Sequence, residues 1–218
     1  MLVMELNKNN YNYQKFKNMK KIILTTFIIL TYLTGFSQTA REYLAPVASP
    51  QASVTQNVGM TKIPVYYSSP GVKGRKIFGD LVPYDEIWRA GANSPTSIIF
   101  STDVMVGGKK IRAGKYAIAI TPRASGKWTV DLNSAVKYPY AYYVDGKIDM
   151  DAYNKDLAQS IDVDPFFWDT NIERLTYRID ANDNKVANVV MIWANAIISF
   201  QVDTMPEEHL KAFAKTLE

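Results

Sequence analysis

The sequence predicts an all-β fold: an antiparallel β-sandwich, jelly-roll-like or barrel-like, with a short C-terminal helix. Three observations carry that prediction. Runs rich in Val, Ile, Thr, Tyr and Phe recur at roughly 8–12-residue spacing across residues 53–202. Clusters of Gly, Pro, Asn, Asp and Ser punctuate them. No long amphipathic helical pattern intervenes, as an α/β fold would require.

The chain is expected to begin with elements outside that fold. Met19-Lys20-Lys21 precedes an uncharged apolar run at 22–33 (IILTTFIILTYL), followed by Thr34-Gly35-Phe36-Ser37. A basic start, an apolar stretch of about a dozen residues and small residues at the −3 and −1 positions predict an export signal cleaved near Ser37-Gln38. The run falls short of the roughly 20 apolar residues of a transmembrane helix. Residues 1–18 are polar and rich in Asn and Lys, and Met19 is the expected true start. The predicted organisation is an upstream extension plus signal peptide at 1–37, a linker at 38–50, the sandwich at 51–205 and a C-terminal helix at 206–218. The expected location is exported, periplasmic or secreted, with no membrane span left after cleavage.

Strands are predicted at 53–58, 63–68, 96–100, 104–106, 109–111, 114–121, 128–133, 157–163, 172–180, 186–193 and 196–202. Gly107-Gly108 joins two of them as a tight hairpin, since both central turn positions need positive φ. PRASGK at 122–127 and DANDNK at 180–185 are further turns. VVMI at 189–192 lacks alternation and predicts a central strand buried on both faces. A short helical turn is expected at 151–154. In PEEHLKAFAKTLE at 206–218, Pro opens a helix with acids in its first turn, and Leu210, Phe213, Ala214 and Leu217 are its expected apolar stripe.

Charge excludes one class of partner. The chain has 25 basic and 21 acidic residues; subtracting Lys8, Lys15, Lys17, Lys20, Lys21 and Glu5 leaves 20 and 20 in the mature part. No basic excess remains to bind nucleic acid. The absence of cysteine removes thiol catalysis, iron–sulfur and Cys–zinc sites, any disulfide framework, and the cysteine a lipid anchor would need. The single histidine, His209, sits among acids on the terminal helix and is expected to be solvated. No G-x-S-x-G elbow, Walker A loop or G-x-G-x-x-G loop is present. No cofactor and no metal are expected.

Three groups of residues remain. Asp145, Asp149, Asp151 and Asp156 form one acidic cluster and Asp162, Asp164 and Asp169 another. Asp149-x-Asp151 lacks the Gly and closing Glu of a calcium loop, so both clusters are expected to be turn-forming and solvated. The alternative is a hydrolase that uses paired carboxyls, Asp149, Asp151, Asp162 or Asp164, on a glycan or a metal-held water. Tyr138, Tyr140, Tyr142, Tyr143, Phe166, Phe167 and Trp168 place rings in irregular, Pro-containing segments that suit core filling or a ligand platform. Densest is KGRKIFGDLVPYDEIWRAGAN at 73–93, in which Ile77, Phe78, Leu81 and Val82 are expected to plug apolar surface. Arg75, Trp88, Arg89 and Asn93, with Tyr67 and Tyr84, are its candidate ligand-binding residues. Arg75 is expected to face the protein's own carbonyls, and Arg89 and Asn93 a guest.

SPQASVTQNVG at 49–59, YSSPGVKGRKIFGDLVPYDEIWRAGANSPT at 67–96 and AGKYAIAITP at 113–122 carry a resemblance to the DUF2911 family of exported bacterial proteins. It implies an exported, β-rich single domain and marks Lys73, Gly74, Arg75, Trp88, Arg89, Gly91, Ala92 and Asn93 as the motif. It names no reaction. Two positions depart from the pattern: Ser69 stands where Arg is common, and Asp85 where the pattern has Gly. The leading functional expectation is a non-enzymatic module that binds a small molecule, glycan or envelope component; a structural or interaction module without a site is the third class.

Overall fold

The computed structural model describes residues 47–181 and 183–218; the predicted leader and the linker up to residue 46 lie outside them. Alternation along the strands sets the two layers. The first sheet runs in the order β1 (Gln51–Val58), β2 (Thr61–Ser68), β3 (Ser97–Phe100), β6 (Gly114–Thr121), β7 (Trp128–Asn133) and β10 (Leu157–Val163). The second comprises β11 (Phe166–Ala181), β12 (Val186–Asp203), β4 (Val104–Val106) and β5 (Lys109–Ile111). Every pairing between these strands is antiparallel, and the sheets pack against each other without closing into a barrel. Ile63 and Val65, Ile118 and Ile120, Trp128, Val130 and Leu132 face inward at period two and meet Val189, Met191 and Trp193 in one core.

Local chemistry explains the turns. Gly107 and Gly108 both take positive φ (56° and 76°), which closes the β4–β5 hairpin. Between β11 and β12, Asp183 accepts from the Lys185 and Val186 amides. Those two donors hold its carboxyl below the ordinary aspartate range. Of the segment expected to be buried on both faces, Val189, Val190 and Met191 are buried and Ile192 is half-buried.

β12 contains a reversal. Its 18 residues would span roughly 60 Å if extended, at about 3.3 Å per residue. Yet the residues flanking it meet, because Thr204 N–H donates to Lys185 O at 2.8 Å. The chain doubles back at Ala194-Asn195, where Ala194 takes φ 51°. Buried positions switch there from odd (Ala187, Val189, Met191, Trp193) to even (Ala196, Ile198, Phe200, Val202), as a two-residue turn demands. The two arms correspond to the strands expected at 186–193 and 196–202. β11 pairs first with the second arm, through Phe166–Ile197 and Phe167–Ala196, and then with the first arm, from Thr176–Ile192 to Ala181–Ala187. Residues 168–171 pass across the tip of the reversal between those pairings.

The outer face of the first sheet has its own cover. Because Trp128, Val130 and Leu132 point inward, Asp131 and Asn133 point to the other side. There, residues 134–156 supply a short 3₁₀ turn (Pro139–Tyr142), the small hairpin β8 (Tyr143–Val144) and β9 (Lys147–Ile148), and helix α1 (Met150–Lys155). Asp149 caps α1 by accepting from the Asp151 and Ala152 amides at 3.0 Å. Tyr153 and Tyr142 are buried beneath this cover. Tyr153 O–H donates to Asp131 Oδ2 at 2.9 Å and Ser160 O–H to Asp131 Oδ1 at 2.7 Å. Tyr142 O–H donates to Asp156 Oδ2 at 2.7 Å and accepts from Asn133 Nδ2.

The terminal helix α2 (Pro206–Ala214) departs from expectation in two ways. Its predicted apolar stripe is not inside: Leu210, Phe213 and Leu217 are 57%, 58% and 74% exposed. His209 is not freely solvated either, since its Nε2 lies 2.8 Å from the Asp103 carbonyl oxygen. The helix is therefore fastened by polar contacts, with Lys110–Glu208 at 3.1 Å and Lys185–Glu207 at 3.4 Å, rather than by burying its stripe. Among the described residues, no helix is long and apolar enough to cross a membrane.

Candidate functional site

The motif is built as a plug. The chain leaves β2 and pairs briefly with β11, as Leu175 N–H donates to Pro70 O and Val72 N–H to Glu173 O. Lys73 and Gly74 then take positive φ (49° and 68°), which turns the chain so that Arg75 folds over its own loop. Arg75 Nη2 donates to Gly71 O at 2.6 Å and Nε to Val72 O at 3.0 Å. Next, Val82 N–H donates to Ile77 O and Gly79 N–H to Val82 O. This knot pushes Ile77, Phe78 and Val82 into the core, while Leu81 stays 45% exposed. The Phe78 ring sits 4.7 Å from Trp128, 6.1 Å from Trp193 and 6.2 Å from Trp88. Gly79 has φ 83°, and a Cβ there would fall on the Tyr84 ring.

Asp85, in place of the pattern's Gly, has φ 63°. Its side chain is exposed, so the backbone conformation is what distinguishes substitutions here. Left-handed backbone costs an L-residue roughly 1–2 kcal/mol, less for Asp. Asp85→Gly should accordingly be neutral or stabilising by up to about 1 kcal/mol, against a loss of roughly 1–2 kcal/mol for Asp85→Val. Urea unfolding of the two variants checks this, and equal midpoints would contradict it.

The six candidate residues do not converge on one point. Arg75 and Tyr84 line a cleft of about 590 Å³, together with Lys76, Phe167, Trp168, Asp169, Asn171, Ala194 and Asn195, over a floor that includes Ile77 and Phe78. Trp88 is half-buried behind that floor, stacked on Trp193 at 5.6 Å and 20°. It is held there by backbone hydrogen bonds to Ile120 in both directions at 2.8 Å, which form an isolated antiparallel bridge. Arg89, the next residue, falls on the opposite face, 5.7 Å over the Tyr140 ring and 3.4 Å from Gly91 O. Asn93 takes φ 54° and donates to Ser49 O at 3.1 Å. Tyr67 packs on Tyr177 at 5.0 Å and lines a separate cavity of about 160 Å³. The expected backbone partners of Arg75 are present; Arg89 and Asn93 meet a ring and carbonyls of this chain.

Sequence reasoning missed Lys76, Asn171 and Asn195. Asn171 and Asn195 carry no local mark and reach the cleft only through the crossing of residues 168–171 over the β12 turn, whereas Lys76 follows Arg75 directly inside the 73–93 segment. Phe167 and Trp168 were visible as rings, and both are about half exposed. Among the described residues, Arg75, Lys76 and Asp169 have no ion-pair partner. Trp193 Nε1, immediately before the two cleft residues of the β12 turn, is a buried donor without a partner there.

The acidic clusters separate. Asp149 is a helix cap, Asp145 turns the β8–β9 hairpin at φ 49°, and Asp156 accepts from Tyr142 and pairs with Lys137. The Tyr142 hydroxyl, then Lys137, hold the Asp156 carboxyl below the ordinary aspartate range. Asp162 and Asp164 instead line a second cleft, of about 610 Å³, with Asp203, Ser199 and Gln201. Among the described residues, no group of three acidic or His side chains is arranged to hold a metal ion.

No curated protein and no solved structure matches this chain. The family model described as a protein of unknown function does match, over residues 49–202. That span covers both sheets and the whole plug motif, and the chain belongs to the DUF2911 family.

Proposed function

We propose that this is an exported, non-enzymatic binding module whose ligand, a glycan or similar polar small molecule, enters the cleft between the Arg75 loop and the crossing at residues 168–171. The observation that carries the reading is the cleft's lining. Half-exposed rings of Phe167 and Trp168 face a pocket that also holds the Tyr84 ring, two amides and two cations. Its volume, about 590 Å³, falls within the range of small-molecule sites. Rings supply flat apolar area that costs little entropy to hold, and the polar groups fix orientation. Arg75 is tethered by two carbonyls of its own loop, so little freedom is lost when a ligand meets its remaining N–H groups.

The chain has four Trp, and Trp168 is the one with a large exposed fraction, 48%. A glycan array on residues 38–218, followed by fluorescence titration of any hit, tests the proposal. Binding should shift Trp168 emission, and Trp168→Ala should weaken it about tenfold or more, equivalent to at least about 1.4 kcal/mol, with an unchanged unfolding midpoint. An array without hits would remove the reading. Export is tested separately, by finding whether the mature chain begins at Gln38.

A second reading is favoured by Asp162 and Asp164. They lie two residues apart, about 7 Å between Cα atoms for extended chain, and both line the second cleft. Glycoside hydrolysis uses carboxyl groups roughly 5–10 Å apart, a spacing open to two side chains on one face of an extended segment. Hydrolysis of a glycan substrate that is abolished in Asp162→Asn would establish this reading over the first.

A further inference from the structure

We propose that the ligand of the Arg75 cleft is an acidic oligosaccharide, its carboxylate bound by Arg75 and Lys76 and a sugar face stacked on Trp168. This inference rests on the binding function proposed above and names the ligand's class.

The charges of the cleft carry it. Arg75 and Lys76 both line the cleft, and neither has a carboxylate within ion-pair distance among the described residues. Arg75 spends Nε and one N–H of Nη2 on Val72 O and Gly71 O. Three of its five N–H groups remain for a planar anion, and the tether holds the guanidinium in place. Arg75 and Lys76 are both exposed at the cleft, and charge-assisted hydrogen bonds to a carboxylate are stronger than those to a neutral acceptor, so an anionic ligand uses these donors best.

The remaining lining selects among anions. Asp169 shares the cleft, and its charge opposes a densely anionic ligand such as a polyphosphate. A sugar acid carries only one negative charge per ring. It also offers hydroxyl donors to Asp169 and both donors and acceptors to the amides of Asn171 and Asn195. The apolar face of a pyranose ring matches the half-exposed Trp168 and Phe167 rings. A fatty anion would satisfy the rings and the cations but leave Asp169 and both amides without partners.

Two probes of equal length test the proposal on residues 38–218: hexagalacturonate, and neutral maltohexaose. Trp168 emission should respond to hexagalacturonate at concentrations at least about tenfold lower than to maltohexaose. The acidic affinity should fall as salt rises from about 50 to about 500 mM, since the ion pairs are partly solvated. Lys76→Gln, whose side chain has no internal hydrogen bond among the described residues, should cut the acidic affinity severalfold and the neutral one by a much smaller factor. Arg75→Gln should act in the same direction; because it also loosens the loop, its unfolding midpoint is measured alongside. Equal response to both probes, or acidic binding that neither salt nor Lys76→Gln alters, overturns the acidic assignment and leaves the binding function standing. If neither probe binds and the glycan array is also empty, both proposals fall.

Discussion

Phe78→Ala should cost about 3–5 kcal/mol of stability, the largest loss expected from any single substitution in the motif. The ring is 6% exposed and lies within 6.2 Å of three tryptophans, Trp128, Trp193 and Trp88. Truncation removes its transfer energy and opens a cavity that stiff indole rings cannot collapse to fill. With roughly 2–4 °C lost per kcal/mol in a domain of this size, the melting temperature should fall by about 6–20 °C. Phe78→Leu, which keeps most of the volume, should cost less than half as much. Near-ultraviolet circular dichroism should lose the Trp88–Trp193 signal in the Ala variant, since that stack leans on the Phe78 edge. Phe78 also floors the cleft, so ligand binding should weaken with it. A drop of less than about 1 kcal/mol in urea would show that the motif is not a plug.

Asp131→Ala should cost about 2–3 kcal/mol, because it strands the hydroxyls of Tyr153 and Ser160 under the 134–156 cover. Asp131→Asn separates packing from charge. Burial, the largest influence, raises the Asp131 carboxyl above its ordinary 3.8, against the lowering effects of Ser160 and Tyr153. An acid with a raised folded-state pKa binds its proton more tightly in the native state than in the unfolded one. Its contribution is therefore fully present below the ordinary value and is lost as pH rises through the raised one. Wild type should thus lose stability relative to Asp131→Asn on going from about pH 3.5 upward, with the difference flattening above the raised pKa. Asp156, Asp183 and Glu207 are shifted downward and impose the opposite slope at lower pH in both proteins, so the difference curve isolates Asp131. A flat difference curve would contradict the assignment.

These two expectations mark the boundary between what the chain states locally and what it states only when folded. The β4–β5 hairpin was legible because Gly107-Gly108 is a local requirement for positive φ. The two arms of β12 were legible because runs rich in Val, Ile and aromatic residues lie on either side of Ala194-Asn195. Ile77, Phe78 and Val82 were legible as a plug, being apolar residues inside an irregular segment. The fate of α2 was not. Its stripe at 210–217 has the spacing of a core-facing helix, yet polar contacts fasten it with Leu210, Phe213 and Leu217 turned outward.

The candidate site divides in the same way. The motif identified Arg75 and Tyr84, which do line the cleft, and it placed Trp88, Arg89, Asn93 and Tyr67 beside them on sequence proximity alone. Trp88 and Arg89 are adjacent in the chain and lie on opposite faces, since extended backbone alternates its side chains. By itself the sequence determined the fold class, most strand positions, the turns and the plug, because period-two burial and positive-φ turns are set by a few neighbouring residues. Only the tertiary structure decided which side chains share the cleft. Residues 75, 84, 168 and 195 meet because β11 crosses the turn of β12, and long-range pairing register sets that crossing, not any local preference.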